Sequence, residues 1–119
     1  MAFHIDLGKK GEELAVVHLQ DKGYKILETN WRYLKAEIDI IAQKENTLAV
    51  VEVKTRSSDV ISTPEDAVNP KKIKLLVSAA NEYVIQNDLD VEVRFDIIAI
   101  LKKGNAFSIT HTEEAFLFF

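Results

Sequence analysis

The chain contains no cysteine. That absence excludes disulfide frameworks, thiolate metal sites and cysteine nucleophiles together. Histidine is almost as scarce. His4, His18 and His111 are scattered, and no local motif gathers them into an imidazole cage or a Ser-His-Asp triad. No apolar run approaches the roughly 20 residues that span a bilayer, and Met1 to Lys10 has no apolar signal core. A cytoplasmic protein without membrane association is therefore expected. Repeats, low-complexity tracts and linkers are also lacking. What is present is ordinary globular composition, 47% hydrophobic and 29% charged over 119 residues, enough for one domain, 1–119, and one core. The net charge of −4 argues against a broad basic surface for nucleic acid. It does not exclude a site in which clustered acids are offset by bound cations.

The pattern along the chain predicts α/β architecture. A helical stretch from Asp6 to Asp21 stops at Gly23, a C-terminal glycine. Strands are expected at Tyr24 to Thr29, Lys35 to Gln43 and Thr47 to Thr55, the last two forming a hairpin around Lys44-Glu45-Asn46. Arg56 to Val68 reads as a loop. Asn69-Pro70 supplies an N-cap and a first-turn proline, and Ile73, Leu76, Val77, Ala80 and Val84 continue at helical spacing to about Asn87. A strand over Val91 to Leu101 completes the order α-β-β-β-α-β, a mixed central sheet flanked by helices, and a short further strand is expected over Ala106 to Thr110.

Two acids and a lysine stand out on the middle strands. Glu37-Ile38-Asp39 is followed, thirteen positions after the aspartate, by Val51-Glu52-Val53-Lys54. Strand alternation sends Glu52 and Lys54 to one face. By the same alternation Ile38 and Ile40 share one face of their strand, and Glu37, Asp39 and Ile41 the other. A cross-strand ion pair or a solvated polar face would also account for these charges. Leu48-Ala49-Val50-Val51 and Val53 point instead to a strand buried on both faces. A lysine beside two acids in a β-core is the pattern of metal-assisted phosphodiester chemistry. On the first helix, Glu12 lies within about 60° of Ala15, Val16 and Leu19, so its carboxylate is aimed at the sheet. It reads equally as a first-turn acid favoured by the helix dipole. Gly8 and Gly11 beside it permit close approach of a backbone or ligand.

Gly8-Lys9-Lys10-Gly11-Glu12, Asn30-Trp31-Arg32, Glu37-Ile38-Asp39, Val51 to Arg56, Pro64 to Val68, Lys71 and Arg94-Phe95-Asp96 together resemble the bacterial YraN family. That family is similar to archaeal-type Holliday junction resolvases of the PD-(D/E)XK nuclease superfamily. The resemblance covers nearly the whole chain in order. Ala36 and Ser62 stand where the family usually has glycine. The resemblance implies a restriction-endonuclease-like core and a structure-selective DNA endonuclease. In that reading Asp39, Glu52 and the Val53 carbonyl hold Mg²⁺ or Mn²⁺. Lys54 positions or deprotonates the attacking water and stabilises charge on the phosphate. Glu12 completes the site, and Glu37 is a further candidate beside it.

Lys9, Lys10, Arg32, Lys35 and Arg56 form a basic rim in this reading. Lys71, Lys72 and Lys74 crowd the start of the second helix, where phosphate is favoured and cations are not; a solvated face neutralised by Glu65 and Asp66 is the competing explanation. The expected partner is DNA, branched DNA included. Few aromatics accompany these cations, so base stacking is not indicated. The apolar Ala115 to Phe119 tail either covers the core or forms a homodimer contact, which would suit two symmetric cuts. The alternative to an enzyme is a non-catalytic nucleic-acid-binding or protein-interaction module on the same fold.

Overall fold

The computed structural model describes residues 6–57 and 69–116. Its elements are α1 (Leu7–Asp21), β1 (Lys25–Tyr33), β2 (Ala36–Lys44), β3 (Thr47–Ser57), α2 (Pro70–Gln86), β4 (Glu92–Lys103) and β5 (Ala106–Thr112). Each boundary has a local cause. The Asp6 carboxylate caps α1 by accepting from the Lys9 amide at 3.1 Å. Gly23, at φ 94, turns the chain out of the helix, and the Tyr24 amide returns to the Leu19 carbonyl at 2.9 Å. Asn69 caps α2 in the same way, accepting from the Lys72 amide at 2.8 Å, with Pro70 in the first turn. Residues 58–68, which hold most of the expected loop, lie outside the described residues, as do Leu117 to Phe119.

The five strands lie in sequential order, β1-β2-β3-β4-β5. Only the β3–β4 pair is parallel, running from Thr47↔Glu92 to Ser57↔Lys102. That pair requires a crossover, which contains α2 and carries it to one face of the sheet. Leu48, Val50, Phe95 and Ile41 pack there with Leu76, Ala79, Ala80 and Tyr83. Ala49, Val51, Ile98 and Ile100 pack on the other face with Ala15 and Leu19 of α1. Each fully buried leucine or isoleucine among them contributes about 1.5–3 kcal/mol. The mixed sheet between helices is compatible with a restriction-endonuclease-like fold. Phe116 packs against the α2-side core, its ring 5.2 Å from that of Phe95. That part of the apolar tail covers the core.

Regular alternation fails in one place. Ile38 packs on the α2 side with Ile41, whereas Ile40 packs on the α1 side with Ala42, so Ile38 and Ile40 do not share a face as strand periodicity predicts. The phase changes at Asp39, and the partner strand changes phase with it. Glu28 accepts from the Tyr83 hydroxyl on α2 at 3.3 Å, and the Trp31 ring meets Tyr83 edge-on at 5.1 Å. Three positions, not an even number, separate these two residues on one face. Asn30, opposite Asp39 at this point and held at φ 52, marks the change on β1, whereas the register shift of the pair comes earlier, between Ile26 and Glu28. β1 is also longer than the sequence indicates, because its pairing with β2 continues through this irregularity to Tyr33↔Ala36.

Candidate active site

The site forms where β2 and β3 part. Their ladder runs from Lys44↔Thr47 to Ile40↔Val51 and stops. Beyond it, side chains replace backbone pairing. Asp39 Oδ2 accepts the Val53 amide at 2.8 Å, and the Asp39 amide donates to Glu52 Oε2 at 3.4 Å. The two acids predicted from spacing are thus brought together, each bonded to the other's strand. In an extended strand the N–H and C=O of one residue face the same side, so the Val53 carbonyl also opens toward Asp39.

This pairing is electrostatically costly. Glu52 is only 4% exposed. Burial, reinforced by the neighbouring Glu52 charge and by Glu12, pushes the Asp39 carboxyl up to about 7, with the Val53 amide and Lys72 opposing. Burial likewise raises Glu52, and a hydrogen bond from Lys72 holds it back. Both acids are thus held toward the protonated form, and added positive charge beside them would favour the ionised form.

Lys54 follows Glu52 on the same face of β3. Burial lowers its pKa, as do Arg56 and Lys72, against the attraction of Glu52 and Asp39. It lies within the field of both acids. Glu12 approaches from the opposite layer. Gly11 makes this possible, because a Cβ there would stand 1.9 Å from Thr55 Oγ1, so only glycine lets α1 lie this close to β3. Gly8 has no such contact, its nearest neighbour being Asp6 Oδ1 at 3.6 Å. Glu12 Oε2 accepts from Asn30 Nδ2 at 3.3 Å, so the phase change that releases Asp39 from the ladder also supplies the residue that holds Glu12.

A cleft of about 390 Å³ opens on the α2 side, lined by Lys35, Ala36, Glu37, Asp39, Glu52, Lys72, Leu75 and Leu76. Lys72, expected at a helix start that favours phosphate or on a solvated face, reaches into it and pairs with Glu52 Oε1 at 3.0 Å. The remaining cations are less engaged with the acids. Lys9, Lys10 and Lys71 are exposed, Arg32 pairs with Glu37 at 2.8 Å, and Arg56 donates to the Thr55 carbonyl at 3.0 Å. Asn30 and Lys72 are the site residues whose placement the sequence did not disclose. Asn30 stood within a recognised motif without an assigned role, and Lys72 sat in a first turn unfavourable to cations. Among the described residues no three carboxylate or imidazole side chains converge on one point; the donor set is two carboxylates and a carbonyl.

The molecule is a mixed α/β protein of a class compatible with the restriction-endonuclease-like fold, with two buried acids joined where its central strands diverge. Residues 11–100 match the uncharacterised protein family UPF0102, and the chain belongs to that family, the YraN family. It is 65% identical over 119 residues to the UPF0102 protein of Flavobacterium psychrophilum, with both chains fully covered. It is 57% identical over 119 residues to that of Christiangramia forsetii, again with full coverage of both. The UPF0102 protein of Parabacteroides distasonis is 50% identical over 116 residues, covering 98% of this chain and 96% of the relative. Among the described residues no helix is long and apolar enough to cross a membrane.

Proposed function

We propose that this protein is a metal-dependent, structure-selective DNA endonuclease, similar in reaction to Holliday junction resolvases. The observation that carries the reading is the pair of buried acids at the β2–β3 divergence, each bonded to the other's strand, with Lys54 in their field. Structural acids in a core are normally matched by cations or donors. Here the match is partial, and the missing charge is that of a hard divalent cation.

The residues fit Mg²⁺ or Mn²⁺, which favour carboxylate and carbonyl oxygens and retain waters. Asp39, Glu52 and the Val53 carbonyl would hold the cation, which when bound supplies a more acidic water and neutralises phosphate charge. The chain's own groups do the rest. Lys54 places an ammonium beside the phosphate oxygens, where charge accumulates as water oxygen bonds to phosphorus and the bond to the leaving oxygen breaks. Its lowered pKa eases proton exchange with the attacking water or the leaving oxygen. Glu12, oriented by Asn30, faces the same point from the α1 layer and accepts a hydrogen bond from water there.

Purified protein incubated with four-way, flapped, single-stranded and linear DNA, with and without Mn²⁺, tests this reading. Cation-dependent cutting of a branched substrate is expected. Replacement of Asp39, Glu52 or Lys54 by alanine should abolish it. Absence of both Mn²⁺ binding and cleavage on all four substrates would remove the enzyme reading and favour a binding module. Cleavage that survived Asp39→Ala would place the activity elsewhere.

A further inference from the structure

Both oxygens of Glu52 are already engaged. Oε2 accepts from the Asp39 amide at 3.4 Å, and Oε1 meets the Lys72 ammonium at 3.0 Å. The second contact has an unusual origin. Lys72 lies in the first turn of α2, where its own amide donates to the Asn69 cap and the helix dipole opposes a positive side chain. The Asn69 cap and the Pro70 first turn fix the backbone at this position. The stem then crosses the cleft to an acid that is almost fully buried. Lys35 lines the same cleft but makes no ion pair with Glu52, so proximity to the cleft alone does not produce this contact.

We infer that Lys72 is the resident counter-cation of the carboxylate pair, holding Glu52 in the metal-free protein, and that a divalent cation must turn it off Glu52 in order to bind. This rests on the proposed function, because it assigns the carboxylates to a metal. The physical reason is competition for one acid. A hard cation takes oxygen at about 2.0–2.1 Å for Mg²⁺, and an ammonium held on the same carboxylate in a partly desolvated cleft repels it strongly. Lys72 therefore keeps the acids satisfied during folding and sets a threshold of cation concentration below which the site stays closed to metal. It is a positioning residue for Glu52, whereas Lys54, outside this ion pair, keeps its place on β3 in both states.

The test is calorimetric titration of the full chain with Mn²⁺, comparing wild type, Lys72→Gln, Lys72→Met and Lys35→Gln. Lys72→Met keeps the apolar stem against the cleft wall if the glutamine variant fails to fold. Removing the competitor is expected to tighten Mn²⁺ binding about tenfold, the scale of a typical coupling between two ligands. Lys35→Gln, which removes the same charge from the same cleft, should change it by less than about twofold, as expected of a more solvated charge screened by salt. Thermal unfolding without metal gives a second readout: the Lys72 variants should melt below wild type, and saturating Mn²⁺ should close the gap. The inference is overturned if the Lys72 variants bind Mn²⁺ no tighter than wild type, or if Lys35→Gln tightens binding equally, since a general field would then suffice. If Mn²⁺ binds none of the four proteins, the carboxylate pair is not a metal site, and the proposed function fails together with the inference.

Discussion

Two acidic centres lie one residue apart in the sheet register and are treated in opposite ways. Asp96, paired with Val51 across β3–β4, is fully buried and fully answered. Arg94 binds it through Nε at 2.8 Å and Nη2 at 2.9 Å, His111 Nε2 lies 2.8 Å away, and the Glu114 amide donates at 3.3 Å. Arg94 is in turn held by the Tyr24 hydroxyl, and His111 Nδ1 is met by His18 at 3.3 Å and Lys22 at 3.2 Å. The network ties α1, β4, β5 and the segment after β5 together. Asp39 and Glu52, by contrast, have between them two backbone amides and one lysine. The Asp96 charge has a complete set of partners and serves structure, whereas the more sparsely countered Asp39–Glu52 pair is the one the proposed function assigns to a cation.

The comparison can be broken at either end. The largest effect on folding is expected from Asp96→Ala, which leaves Arg94 and His111 facing an empty position and should cost about 3–5 kcal/mol in denaturant unfolding. Mn²⁺ affinity of the folded fraction should not change. Gly11→Ala should cost about 1–3 kcal/mol by forcing α1 away from β3, since the added Cβ would meet Thr55 Oγ1 at 1.9 Å. It should also lower any cleavage, because Glu12 moves with the helix. Asp39→Asn is expected to go the other way and stabilise the metal-free protein by about 2 kcal/mol at pH 8, read by thermal unfolding. The sign follows from the raised carboxyl. Between about pH 4 and 7 the unfolded chain has already released this proton while the folded chain retains it. Wild-type stability without metal should therefore fall as pH rises through that window, and Asp39→Asn should flatten the slope. At the small end, Arg32→Ala removes an exposed ion pair with Glu37 and should change stability by less than about 0.5 kcal/mol.

Much of this was legible in the residues. The helix caps at Asp6 and Asn69, the stop at Gly23 and the doubly buried β3 follow from local chemistry, and each element appears close to its expected position. Asp39, Glu52 and Lys54 could be grouped because strand spacing and an apolar surround made their charges anomalous. The phase change at Asn30 and Asp39 could not, since periodicity assumes an unbroken ladder and places Ile38 and Ile40 together. Lys72 was hidden for a different reason. Its partner is twenty positions earlier in the chain, and only the crossover onto the α2 face brings the two together. Arg94-Phe95-Asp96 was visible as a motif, but its meaning depends on His111 and Tyr24, which arrive from β5 and from the end of α1.

The central claim is that the acid pair at the β2–β3 divergence is built for a divalent cation that Lys72 only partly replaces, and thermal unfolding at pH 8 over a Mn²⁺ titration tests it most directly. Wild type should start below Asp39→Asn and rise with Mn²⁺ as a ligand that binds only the folded state requires, while Asp39→Asn should stay level. A wild-type melting temperature that does not respond to Mn²⁺, or one that rises equally in Asp39→Asn, would contradict it.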